Sequence, residues 1–143
     1  SMGLPAFLTS HAGLESGFMI AQVTAVDLLA EMRILAHPAS VDSVTTSANQ
    51  EDHVSMGMAA ARKVRRSVAC LEMVLATELM CAAQGIDFRR PLRSSEAIEM
   101  AHARIRADVP KLDGDRVLGH DLDALTNLVR SGALAEIGTE RDS

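Results

Sequence analysis

Seven hydrogen-bonding or ionisable side chains fall within nine positions: Ser47, Asn49, Gln50, Glu51, Asp52, His53 and Ser55. They sit between two long apolar segments, and a simple surface turn rarely needs that density. The stretch from Thr45 to Gly57 is therefore the candidate site. Within it, Glu51 could serve as a general base or as a charged acceptor for a ligand N–H. A plainer reading is equally concrete. Ser47 and Gln50 have the spacing of a capping box, which would put Glu51 and Asp52 in the first turn of a helix, where the macrodipole favours negative charge. The residues alone leave both readings standing.

Other chemistry finds less support. Glu99 and His102 form one Glu-x-x-His pair, but a dimetal carboxylate site in a bundle needs a second such pair and two further Glu, and no second copy exists. His11, His37, His53 and His120 are scattered, and no metal site is expected. There is no Gly-x-Ser-x-Gly elbow and no phosphate-cradling glycine loop. Cys70 and Cys81 lie eleven positions apart in one expected helix. That separates them by roughly 16 Å along the axis, so they cannot bridge. Two free thiols in an apolar helix point to small core residues and a reducing, cytoplasmic compartment.

The elements that must position the site read as helices. Residues 1–14 carry Pro5 and Gly13 and form an irregular lead-in, and a helix is expected over 15–36, ended by His37-Pro38. The site loop follows at 37–47, then a long helix over 48–84 with Gly85 as its left-handed stop. At about 1.5 Å per residue that helix is on the order of 50 Å long, more than a domain of this size needs for itself. Val64, Val68, Leu71, Leu75 and Leu79 step along it as a bundle seam, and Arg62, Lys63, Arg65 and Arg66 form a basic cluster read as a solvated face. Further helices are expected over 94–109 and 121–131, with a weakly apolar tail at 133–143. The fold class is all-α, a long-helix bundle in a single segment covering 1–143.

Composition agrees. Apolar residues make up 48% of the chain, yet Trp and Tyr are absent and only three Phe occur, so the core must be built from Leu, Ala, Val, Ile and Met, a mixture that favours helix. A net charge of -5 argues against a nucleic-acid partner, and there is no aromatic platform for single strands. Asp27, Glu31 and Arg33 interrupt the apolar run from Phe18 to Leu35, so neither a signal peptide nor a membrane span is expected.

Four blocks carry a resemblance: Gly3 to Leu8 (Gly-Leu-Pro-Ala-Phe-Leu), Ser16 to Ala25, Leu35 to Ser43, and Ser47 to Gly57 (Ser-Ala-Asn-Gln-Glu-Asp-His-Val-Ser-Met-Gly). In this order, and continuing through Ala60 to Lys63, Ala82 to Gly85 and Arg89 to Leu92, the chain resembles the C-terminal part of the histidine ammonia-lyases, within the aromatic amino acid ammonia-lyase family. The resemblance implies one segment of a larger, mostly helical enzyme that self-associates into a cytoplasmic homotetramer. It also implies non-oxidative elimination of ammonia from L-histidine to give urocanate. Glu51 matches the acidic residue of the family's Asn-Gln-Glu-Asp motif, which implies a substrate-binding and catalytic role at the pocket; Gln50 matches its neighbour, as a substrate-binding residue.

The family's electrophile is a methylidene-imidazolone ring made from Ala-Ser-Gly. This chain contains no Ala-Ser-Gly and no Tyr, so the cofactor is expected from an N-terminal part, and the 143-residue chain alone is expected to be inactive. Ala30-Glu31-Met32 stands where Ser-Glu-Asn is expected, and Val44-Thr45 where Ile-Pro is usual; neither departure touches Glu51. Two alternatives stay open: a tyrosine ammonia-lyase segment, and a non-catalytic helical interaction protein that kept the assembly surface.

Overall fold

The computed structural model describes residues 3–139. Their order is a short turn at Ala6–Leu8, then α1 (Met19–Leu35), α2 (Gly57–Phe88), α3 (Glu96–Asp108), α4 (Gly119–Ser131) and α5 (Ala133–Thr139). No β-strand forms among the described residues; the isolated bridges pair Ala12 with Glu15 and Thr46 with Glu51. The all-α architecture expected from composition is the one observed.

α1 has neither Gly nor Pro over its length, and it stops one residue short of the His37-Pro38 pair that excludes helical backbone. It lies antiparallel on α2, since Glu31 pairs with Arg66 while the later His37 carbonyl accepts from the earlier Lys63. The basic cluster is thus only partly a solvated face, because two of its members tie α2 to the end of α1. α4 also runs antiparallel to α2: Leu112 meets Gln84, and Arg130 meets Glu72. The hydrophobic core gathers round the second half of α2, where Ala76, Met80 and Ala83 pack with Phe18, Ile105, Val109, Leu125 and Leu128. α2 is long and apolar enough to span a bilayer by length and composition, with mean hydropathy 1.4 over its most apolar window. In this fold it is the central helix of a helical domain, with α1, α3 and α4 packed on it.

Several boundaries differ from those the sequence suggests. The long helix begins at Gly57, not at residue 48, and Ser47 is not its cap. Residues 48–55 hold a single large apolar side chain, Val54, so a helix there would have no face to bury; Ser55 instead accepts the Gly57 amide at 3.3 Å, just ahead of the cap residue Met56. At its other end α2 passes through Gly85 and continues to Phe88. Gly85 does not end the helix, and a Cβ there would make only an ordinary contact, 3.4 Å from the Leu4 side chain. The segment expected as a tail from 133 is the short helix α5 as far as Thr139, and 140–143 lie outside the described residues. α3 and α4 start two residues away from their expected positions, at Glu96 and Gly119, and Gly132 (φ 77°) ends α4 in the left-handed conformation.

Most of the expected bundle seam faces outward, while Leu79 packs on the core. Val64, Val68, Leu71 and Leu75 are 62, 48, 42 and 39% exposed, and on α1 Ile20, Val23 and Val26 are each more than half exposed. Val64, Val68 and Leu71 line an open groove with Met32 and Leu35 of α1, and much of the stripe is left uncovered among the described residues.

Candidate functional site

The loop from Ala36 to Met56 carries the candidate residues, and its path is fixed by its own short side chains. Ser43 joins the outgoing and returning arms: its hydroxyl donates to the Asp52 carbonyl at 3.1 Å and accepts from the Val54 amide at 2.8 Å. Asp42 accepts from the Ser43 amide at 2.8 Å. Farther out, Thr46 and Glu51 exchange backbone bonds in both directions, at 2.9 and 3.3 Å, and Gln50 N–H donates to the Ser47 carbonyl at 3.2 Å. The tip between them is left-handed, with φ of 56°, 56° and 68° at Ser47, Ala48 and Asn49. None of the three is glycine, so the turn costs roughly 1–2 kcal/mol per residue, least at Asn. The Thr46–Glu51 bridge and, behind it, the Ser43 staple hold it.

Glu51 is thereby placed on a tight turn and not in the first turn of a helix. Its carboxylate is exposed, and Oε2 accepts from the Thr46 hydroxyl at 3.0 Å. Among the described residues no hydrogen bond to Oε1 is found. Gln50 is exposed beside it, with its backbone committed to the turn. An open depression of about 690 Å³ lies along the loop, lined by Asp42, Ser43, Asp52, His53 and Ser55 among others; neither Gln50 nor Glu51 lines it. The polar cluster of the sequence is therefore divided between two sides of the loop, Asp52 and His53 on the depression and Gln50 and Glu51 on the turn. A charged carboxylate with one oxygen satisfied and the other open can take an N–H donor or accept a proton. Sequence reasoning missed Thr46 and Ser43 as the residues that shape this site; the one local signal is Asn49, which tolerates left-handed backbone.

The Glu-x-x-His pair on α3 has a different employment. Glu99 takes the Arg90 guanidinium at 2.9 Å and the Ser94 amide at 2.9 Å, and these bonds hold its carboxyl down at about 2. His102 Nε2 lies 2.8 Å from Asp87, which also receives Arg106 Nε at 2.9 Å. His102 is thus spent on joining α3 to the end of α2, and Glu99 on holding the connection between them. Of the two thiols, which are both free, Cys70 is buried and Cys81 half-buried, and burial pushes Cys81 up.

Residues 1–107 match the family model for aromatic amino acid lyases. A histidine ammonia-lyase of Symbiobacterium thermophilum is 56% identical over 132 residues, covering 92% of this chain and 26% of that protein. One from Koribacter versatilis is 52% identical over 135 residues, with 94% and 26% covered. The chain thus spans about a quarter of the length of the curated relatives it matches. Among solved structures, histidine ammonia-lyase from Trypanosoma cruzi superimposes with a TM-score of 0.90 at 49% identity, over 94% of this chain and 26% of that one. Tyrosine aminomutase from Streptomyces globisporus gives 0.91 at 35% identity, over 99% and 27%. On the family match and on identities above one half, the chain belongs to the aromatic amino acid lyase family.

Proposed function

We propose that the chain is the C-terminal segment of a histidine ammonia-lyase, and that it supplies the Glu51 carboxylate to the substrate pocket. The observation that carries this is the Thr46–Glu51 turn, which fixes Glu51 at a loop tip with one carboxylate oxygen open. The reaction is elimination of ammonia from L-histidine without oxidation, leaving urocanate. Glu51 either receives the imidazole N–H or moves a proton at the substrate, roles for which a positioned carboxylate is suited. Gln50, adjacent on the turn, contributes to binding. Identities of 51–56% to histidine ammonia-lyases favour histidine over tyrosine as substrate.

The electrophile must come from elsewhere. A methylidene-imidazolone ring requires Ala-Ser-Gly, and Ser16-Gly17 follows Glu15 while Ser131-Gly132 follows Arg130. No residue of this chain can form it, and the chain on its own is inactive. The outward apolar stripes of α1 and α2 support assembly into a homo-oligomer, as a tetramer in the whole enzyme. The free thiols suit a reducing, cytoplasmic setting.

The test is to express the gene that encodes this chain and incubate the product with L-histidine, following urocanate in the ultraviolet. Urocanate from the full gene product and none from residues 1–143 is the expected result. A gene product that includes an Ala-Ser-Gly segment, folds, and leaves histidine unchanged would overturn the assignment.

A further inference from the structure

We propose that Thr46 is the positioning residue for the Glu51 carboxylate; this rests on the reading of Glu51 given above. A glutamate on an exposed loop samples many rotamers, and nothing in its own backbone selects one. Here Thr46 stands directly opposite it, bound through both main-chain groups, and its hydroxyl donates to Oε2 at 3.0 Å. No other side chain among the described residues bonds that carboxylate. The donor is itself stiff: the β-branched threonine has few χ1 choices, so its hydroxyl is a fixed point. The arrangement also selects an atom. With Oε2 occupied by Thr46, Oε1 is the oxygen left to meet a substrate N–H or proton.

The left-handed run at Ser47, Ala48 and Asn49 serves the same end. A turn with φ of 56°, 56° and 68° and no glycine is maintained against its own backbone preference, and such strain concentrates where geometry matters to function. In this loop it returns residue 51 to face residue 46.

The experiment is a double-mutant cycle in the full-length enzyme that carries this segment, measuring kcat and KM for histidine in Thr46→Val, Thr46→Ser, Glu51→Gln and Thr46→Val with Glu51→Gln. Thr46→Val should lower kcat/KM about tenfold with an unchanged thermal midpoint, and Thr46→Ser, which keeps the hydroxyl, should restore it to within about twofold. In the Glu51→Gln background, Thr46→Val should cause no further loss, because the residue it acts through is already gone. Should the valine variant fail to fold, Thr46→Ala removes the hydroxyl without adding volume and reads the same effect. An impaired Glu51→Gln with a fully active Thr46→Val overturns the role of Thr46 and leaves Glu51 standing, as does a Thr46→Val loss that persists undiminished in the Glu51→Gln background. A fully active Glu51→Gln overturns the reading of Glu51, and Thr46 with it.

Discussion

The side chain of Gln84 pairs with both main-chain groups of Leu112: Oε1 accepts the Leu112 amide at 3.1 Å and Nε2 donates to the Leu112 carbonyl at 2.8 Å. Gln84 is completely buried, and Nε2 also reaches the Leu8 carbonyl at 3.1 Å. One glutamine on α2 thus closes the hydrogen bonding of two irregular segments that cross it. Replacing it with Leu keeps the volume but removes the partner of the Leu112 N–H and of the Leu112 and Leu8 carbonyls. We expect Gln84→Leu to cost about 1–3 kcal/mol in urea-induced unfolding. A variant as stable as the parent would show that these bonds are made to water instead.

Gly17 marks the start of α1 in a similar way. Its φ is 52°, its amide reaches Asp115 at 2.9 Å, and a Cβ there would run into the Phe7 carbonyl. Gly17→Ala combines left-handed strain with that clash and should destabilise by roughly 1–3 kcal/mol. Thermal unfolding of the two proteins side by side checks it, and an unchanged midpoint contradicts it.

Acid should weaken the fold through two carboxylates. Arg90 and the Ser94 amide hold Glu99 at about 2 against an ordinary 4.5, and the Ser16 and Gly17 amides lower Asp115. A carboxyl depressed on folding stabilises the native state above its unfolded value, and that contribution is lost as pH falls through the folded value. Stability should therefore decline between about 4.5 and 2 on account of Glu99. Glu99→Gln should flatten that decline while lowering stability at neutral pH. Identical acid profiles for parent and variant would contradict the assignment.

Much of this fold was legible in the residues. The apolar pattern with His37-Pro38 behind it marks the end of α1, whose start at Met19 is four residues later than the expected 15 because Gly17 is left-handed, and Gly132 marks the end of α4. What failed did so for local physical reasons. Ser47 and Gln50 carry the capping-box pattern, but 48–55 lacks an apolar face, and tertiary burial outweighs a cap. Ser47 and Ala48 adopt left-handed backbone that neither residue type advertises, so the Thr46–Glu51 turn was invisible. Gly85 looks like a stop, but Ile86 and Phe88 extend the apolar pattern past it and the helix continues to Phe88. The polar cluster offers Glu51 as a possible base, while the choice of that role over an ordinary helix-start acid rests on the family resemblance.

The exposed seam of α2 and the outer face of α1 predict association. Val64, Val68, Leu71 and Leu75 are presented together on one side. The 143-residue chain at micromolar concentration should scatter light as an oligomer, and Val68→Glu with Leu71→Lys should shift it toward monomer. A stable monomer of the parent chain would sink this expectation.

The central claim is that Glu51 works at the substrate. Its most direct test is kcat/KM for histidine, followed as urocanate formation, in the full-length enzyme carrying Glu51→Gln, a change that keeps size but removes charge and basicity and turns one acceptor oxygen into an N–H donor. A loss of about 100-fold or more with an unchanged thermal midpoint is predicted. Activity within about twofold of the parent would contradict it and return Glu51 to an ordinary acid on a surface turn.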